Sequence, residues 1–231
     1  MAATSSVTPT GNLYVDGLLM GTKWASSSLT FSFPTEASYY GNNYGYGEPQ
    51  NNFEAFNSTQ KAATYSILDS YASVANFNLT EVTESSTEHG TLRFAESDTP
   101  STAWAYLPHT AAEGGDMWFN NSRTYYDNPV EGNYAWLTIT HEMGHAVGLK
   151  HPHQAWGSFG EMPVSQDSLE YTVMSYRSYV GASTTGGYTN GSWSFPQTLM
   201  MHDIAALQEL YGANYATNSL DTVYQLSLIH I

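Results

Sequence analysis

Residues 141–151 read His141-Glu-Met-Gly-His145-Ala-Val-Gly148-Leu-Lys-His151, and Pro152 follows. His141 and His145 are four positions apart. On an α-helix that spacing puts both imidazoles on one face, about 40° apart and roughly 6 Å along the axis. Glu142 is rotated by about 100° from His141, so it can reach water at the site without being a ligand. His151 is the deciding residue. Six positions beyond His145, it falls about 240° around a continued helix, on the opposite side. The three histidines can converge only if the helix stops and the chain turns back. Gly148 allows that turn, because glycine enters the left-handed region at no steric cost. Pro152 biases His151 away from helical geometry.

Three neutral nitrogen donors suit zinc. Three protein ligands leave a position open for catalysis, whereas a structural site is usually closed by four. The short pattern His-Glu-x-x-His arises by accident on helix surfaces. The eleven-residue form, with its glycine and third histidine, is far more specific. His153 stands two residues past His151 and competes with it as a ligand; motif spacing selects His151. Glu161 and Glu170 offer another arrangement, with a downstream glutamate as third ligand. That arrangement leaves Gly148, His151 and Met174 unexplained. His89, His109, His202 and His230 have no partner at ligand spacing and read as surface or packed residues.

Downstream, Tyr171-Thr-Val-Met174-Ser-Tyr176 resembles the methionine turn of the metzincin zinc peptidases. Pro152 after the third histidine is similar to the serralysin branch of that superfamily. Other stretches resemble the same branch: Tyr14-Val-Asp-Gly-Leu-Leu19, Lys23-Trp24, Gly115-Asp-Met-Trp-Phe-Asn120, Gly132-Asn-Tyr-Ala-Trp136 and the segment from Asp203 to Asn214. The similarity runs from about residue 11 to residue 224.

This resemblance implies an α+β fold: a twisted, mostly parallel sheet with an antiparallel edge strand, a zinc helix and a C-terminal helix. It implies a secreted zinc metalloendopeptidase with His141, His145 and His151 as metal ligands. Met174 would form an apolar floor beneath them. Tyr176 would be an additional zinc ligand in the resting enzyme, swinging away to hydrogen-bond the reacting carbonyl. Zinc in such a site acidifies water. Glu142 would take a proton from that water and deliver it to the leaving nitrogen. Extended polypeptide substrates would pair with the edge strand, expected at Ala103 to Leu107. The alternative is a catalytically inactive, zinc-bearing binding or adhesin module. Glu142 speaks against it, since a purely structural metal needs no base.

Composition narrows the partners. The chain has 231 residues, with 21 acidic and 6 basic side chains and a formal charge of −15. That balance argues against nucleic acid as a partner, since little here could neutralise phosphates, and an anionic membrane surface is equally unsuited. The charge favours solubility and attracts cations, calcium among them. Cysteine is absent, so neither a disulfide nor a cysteine-to-zinc latency switch is available. No apolar run reaches membrane-spanning length. The N-terminus lacks the basic start and apolar stretch of a signal peptide. The resemblance instead implies one-step export through a C-terminal signal. A monomer is expected.

Along the chain, residues 1–10 are small and polar and read as a flexible terminus. Residues 11–220 read as the catalytic domain. Strands are expected at Ser28 to Phe33, Phe77 to Val82, Thr91 to Ala95, Ala103 to Leu107 and Met117 to Phe119. Helices are expected from a Ser58 cap to about Ala75, from Trp136 to Val147, and from Leu199 to Tyr211 with Gly212 as the stop. Residues 38–53, rich in Tyr, Gly and Asn, read as a long surface loop. Its aromatic residues either line a substrate groove or, the reading favoured here, pack the loop. Residues 221–231 are expected to be the truncated start of a calcium-binding repeat domain. The last six, Leu226-Ser-Leu-Ile-His-Ile231, resemble a translated transposon end and are read as foreign to the natural chain.

Overall fold

The computed structural model describes residues 2–220. The expectations for 221–231, and for His230, lie outside the described residues. The strands are β1 (Thr4–Ser6), β2 (Thr22–Trp24), β3 (Ser28–Ser32), β4 (Glu54–Ala55), β5 (Asn78–Glu81), β6 (Leu92–Ser97), β7 (Ala103–Ala105) and β8 (Met117–Asn120). The helices are α1 (Leu13–Asp16), α2 (Ser58–Val74), α3 (Tyr134–Ala146) and α4 (Met201–Tyr211).

The main sheet has the order β5-β3-β6-β8-β7, and β4 pairs with the far end of β6. The β5–β3, β3–β6 and β6–β8 pairs are parallel. β7 runs antiparallel to β8, with Trp104 opposite Trp118, and forms the edge. This is the expected α+β architecture, a mostly parallel sheet with an antiparallel edge. β7 is shorter than the expected Ala103–Leu107 segment.

Strand alternation divides the core. Successive side chains point to opposite faces. Phe94, Met117 and Phe119 therefore enter the main cluster with Ile67, Leu137 and Leu207 of the helices. Ala95 and Trp118 face the other way, onto Tyr40 and Tyr44. The 38–53 segment is thus not simply a surface loop. Tyr40, Tyr44, Glu48 and Pro49 are buried, because the second sheet face needs an apolar cover. Burial holds even for the charged members of β6: Arg93 is paired with Asp116 at 2.6 Å and stacks on the Tyr40 ring.

Helix starts shift by a residue or two from expectation because other side chains cap them. Asn57, not Ser58, caps α2: its side chain accepts from the backbone N–H groups of Thr59 and Gln60, and the Gln60 side chain accepts from the Asn57 N–H in return. Asn133 caps α3 through the Trp136 N–H. Asp203 accepts from the Met200 N–H at the start of α4. The N-terminal stretch expected to be flexible carries β1, which pairs antiparallel with β2. No helix among the described residues is long and apolar enough to cross a membrane.

Candidate active site

The end of α3 is built to reverse the chain. Gly148 has φ 110°, and a Cβ there would stand 2.7 Å from Thr22 O. The last carbonyls of the helix still find donors: Ala146 O accepts from the Trp24 indole and Val147 O from the Tyr211 hydroxyl. The reversal sends Leu149 and His151 back beneath the helix. The three expected histidines then meet. His151 Nε2 lies 3.1 Å from His141 Nε2 and 2.9 Å from His145 Nε2.

Each ring is oriented through its other nitrogen. His141 Nδ1 lies 2.8 Å from Val173 O, His145 Nδ1 2.8 Å from Leu149 O, and His151 Nδ1 3.1 Å from Gln154 Oε1. All three acceptors require an N–H on Nδ1, which leaves an unprotonated lone pair on every Nε2. Burial pushes the imidazolium forms down, to about 3 for His141 and about 4 for His145, and His151 also falls; repulsion from the neighbouring histidines adds to this for His141 and His151. Three lone pairs aimed at one point repel one another unless a cation sits among them. The donor set therefore fits a metal ion, and three neutral imidazoles suit zinc.

His153 stands outside this convergence. Its ring stacks on His151, with centroids 5.3 Å apart. Glu161 and Glu170 contribute no donor atom to it either. His89 pairs with Glu84, and His202 stacks between Tyr14 and Tyr171.

Glu142 is buried beside the triad. Among the described residues its Oε2 has no hydrogen-bond partner. Burial pushes its carboxyl up to about 8, opposed by the Ala105 backbone N–H of β7; a cation held by the histidines would act in the same direction as that N–H. The Tyr176 ring packs against His151, centroids 4.3 Å apart. Burial, then the charge of Glu142, raises its phenol to about 12.

Two cavities meet at Ala103, Glu142 and Tyr176. One, of about 280 Å³, is walled by Tyr134, Leu137, His141 and Tyr188. The other, of about 230 Å³, is walled by Met20, Trp104, Leu107 and Trp156. A cleft thus passes Glu142 on both sides along the β7 edge.

Met174 is fully buried beneath α3. Its turn is tied to α4 through Asp203, which accepts from the Thr172 hydroxyl at 2.5 Å and the Val173 N–H at 2.9 Å. Val173 O, in turn, orients His141. Sequence reading missed these outer partners: Val173 O and Leu149 O, Gln154, Asp203, and Lys150. Only Gln154 carried a signal, a side-chain acceptor three residues past the third histidine.

A family model described as matrixin matches residues 23–157. The chain belongs to the matrixin family. Among curated proteins, this matrixin is similar to the serralysin of Photorhabdus sp. (strain Az29), 40% identical over 182 residues, covering 74% of this chain and 37% of that protein. It is 34% identical to metalloprotease AprA of Pseudomonas entomophila (strain L48), over 85% of this chain and 41% of that protein. With serralysin A of Dickeya chrysanthemi the figures are 33%, 86% and 41%. The matrixin is thus a serralysin-like metzincin. It spans about two fifths of the length of these relatives.

Proposed function

We propose that this chain is the catalytic domain of a zinc metalloendopeptidase that cuts extended polypeptides. The observation that carries the reading is the convergence of three Nε2 lone pairs beside a buried carboxylate oxygen without a partner. The names serralysin and metalloprotease among its relatives point the same way.

His141, His145 and His151 hold the metal. Zinc bound there supplies Lewis acidity, acidifying water and polarising a carbonyl. Glu142 Oε2 takes the proton from the attacking water and passes it to the leaving nitrogen as the peptide bond breaks. Tyr176 donates its phenolic proton in a hydrogen bond to the carbonyl oxygen as charge develops. In the absence of substrate the same phenol is a further ligand candidate. The outer edge of β7 pairs with the substrate backbone, and the two cavities receive side chains on either side of the scissile bond. An inactive zinc-bearing module has no use for a buried, unpartnered carboxylate at this position. Export from the cell, calcium binding by the whole protein, a monomeric state and the exclusion of nucleic acid and membrane as partners belong to the same proposal.

A casein digest with and without a zinc chelator tests it. Expected are cleavage by the zinc-loaded chain, loss with chelator and return with added zinc. No cleavage by a folded, zinc-loaded chain would overturn the reading.

A further inference from the structure

Lys150 is a buried cation one residue before the third histidine. Its Nζ donates to Gly17 O and Gln154 O, each at 2.6 Å, to Gly160 O at 3.0 Å, and reaches His151 O at 3.4 Å. An ammonium has three N–H donors and no acceptor, so these carbonyls saturate it. No carboxylate among the described residues lies within ion-pair distance of it. A buried charge is costly unless hydrogen-bonded. The carbonyl cage is therefore what holds this charge inside.

The cage gathers the end of α1, represented by Gly17, and both ends of the loop after His151. The Lys150 backbone N–H reinforces it through Leu18 O at 2.7 Å. Gln154 links the cage to the metal ligands. Its backbone oxygen accepts from Lys150, while its side-chain oxygen faces His151 Nδ1 at 3.1 Å. The other two ligand rings are held by backbone carbonyls. His151 alone depends on a side chain, and that side chain depends on where its loop is fixed.

We propose that Lys150 is a positioning residue for the metal centre. Its ammonium does the work of a structural cation: it locks the 151–160 loop so that Gln154 aims His151 Nε2 at the other two. This inference rests on reading His151 as the third ligand.

The test measures zinc dissociation constants by competition with a chromophoric chelator, and the visible spectrum of the cobalt(II)-substituted protein. K150M removes the donors and Q154A removes the side-chain acceptor. K23M is the control: the Lys23 side chain donates to Leu210 O, and no hydrogen bond among the described residues joins it to the three histidines or to the 151–160 loop. K150M and Q154A should each weaken zinc by about ten- to a hundredfold and alter the cobalt bands, while K23M keeps both wild-type values. If K150M does not fold, K150Q, which removes the positive charge and one of the three N–H donors, is read in its place. Wild-type zinc affinity and cobalt bands in a folded Lys150 variant, or in Q154A, would overturn the inference. A wild-type chain that binds no zinc would instead refute the three-histidine site itself.

Discussion

Met174 Sδ stands 2.5 Å from the point that a Cβ on residue 144 would occupy. Gly144, between His141 and His145 on α3, is therefore a requirement of packing rather than of helix geometry. Glycine disfavours a helix interior by about 1 kcal/mol relative to alanine. The close approach of the sulfur to the helix that carries His141 and His145 explains why it stands there. The Tyr71 hydroxyl, 3.3 Å from the same point, closes the remaining space.

Gly144→Ala should therefore destabilise the fold despite the better helix propensity. Forcing a methyl into a packed core costs about 1–3 kcal/mol, several degrees in thermal midpoint for a chain of this size. Zinc affinity should fall as α3 and the Met174 turn are pushed apart. Thermal unfolding of the apo and zinc-loaded forms checks both; an unchanged midpoint and affinity would contradict the packing role.

Glu142→Gln should keep zinc and lose proteolysis. The glutamine retains the shape but cannot accept the proton from water at neutral pH. A loss of at least about a hundredfold in casein hydrolysis is expected, with metal content unchanged. Loss of bound zinc would make Glu142 a ligand and undo the assigned role.

Tyr176→Phe should lower kcat and kcat/KM together, on the order of a hundredfold, with KM little changed. The ring contact with His151 survives the substitution, so the change isolates the hydroxyl. Steady-state kinetics on a peptide substrate decides. Wild-type turnover would remove Tyr176 from the chemistry.

Glu96 gives a pH dependence of stability unconnected with the metal. Burial, with Asp127 and Glu54 nearby, pushes its carboxyl from 4.5 up to about 7. A raised carboxyl means that the fold prefers the protonated form. The contribution is complete below about pH 4.5 and is lost as pH rises through about 7, up to about 3 kcal/mol in all. Glu96→Gln, permanently neutral, should match the wild type at pH 5 and exceed it at pH 8. Denaturant unfolding at both pH values measures this. A constant difference between the two proteins would refute it.

How much of this was legible in the residues divides along a physical line. The helix, its stop at Gly148 and the return of His151 follow from periodicity and from one residue free to adopt positive φ. These are local properties, and the sequence alone determined them, as it did strands β3, β5, β6, β7 and β8, but not β2 or β4, whose short polar segments pair only because a neighbouring strand is there. The strand at Thr4–Ser6 and the burial of Tyr40 and Tyr44 were not legible. A polar terminus and a tyrosine-rich loop become ordered only because β2 and the outer sheet face are there to receive them. The same limit applies at the site. Motif spacing could bring three imidazoles together but could not say how each ring is turned. For His141 and His145 the answer is a backbone carbonyl, Val173 O and Leu149 O. Every residue carries a carbonyl, so no side-chain identity marks the ones that matter. Only the tertiary structure, by placing those two oxygens beside Nδ1, decided that His141 and His145 turn Nε2 toward the shared centre.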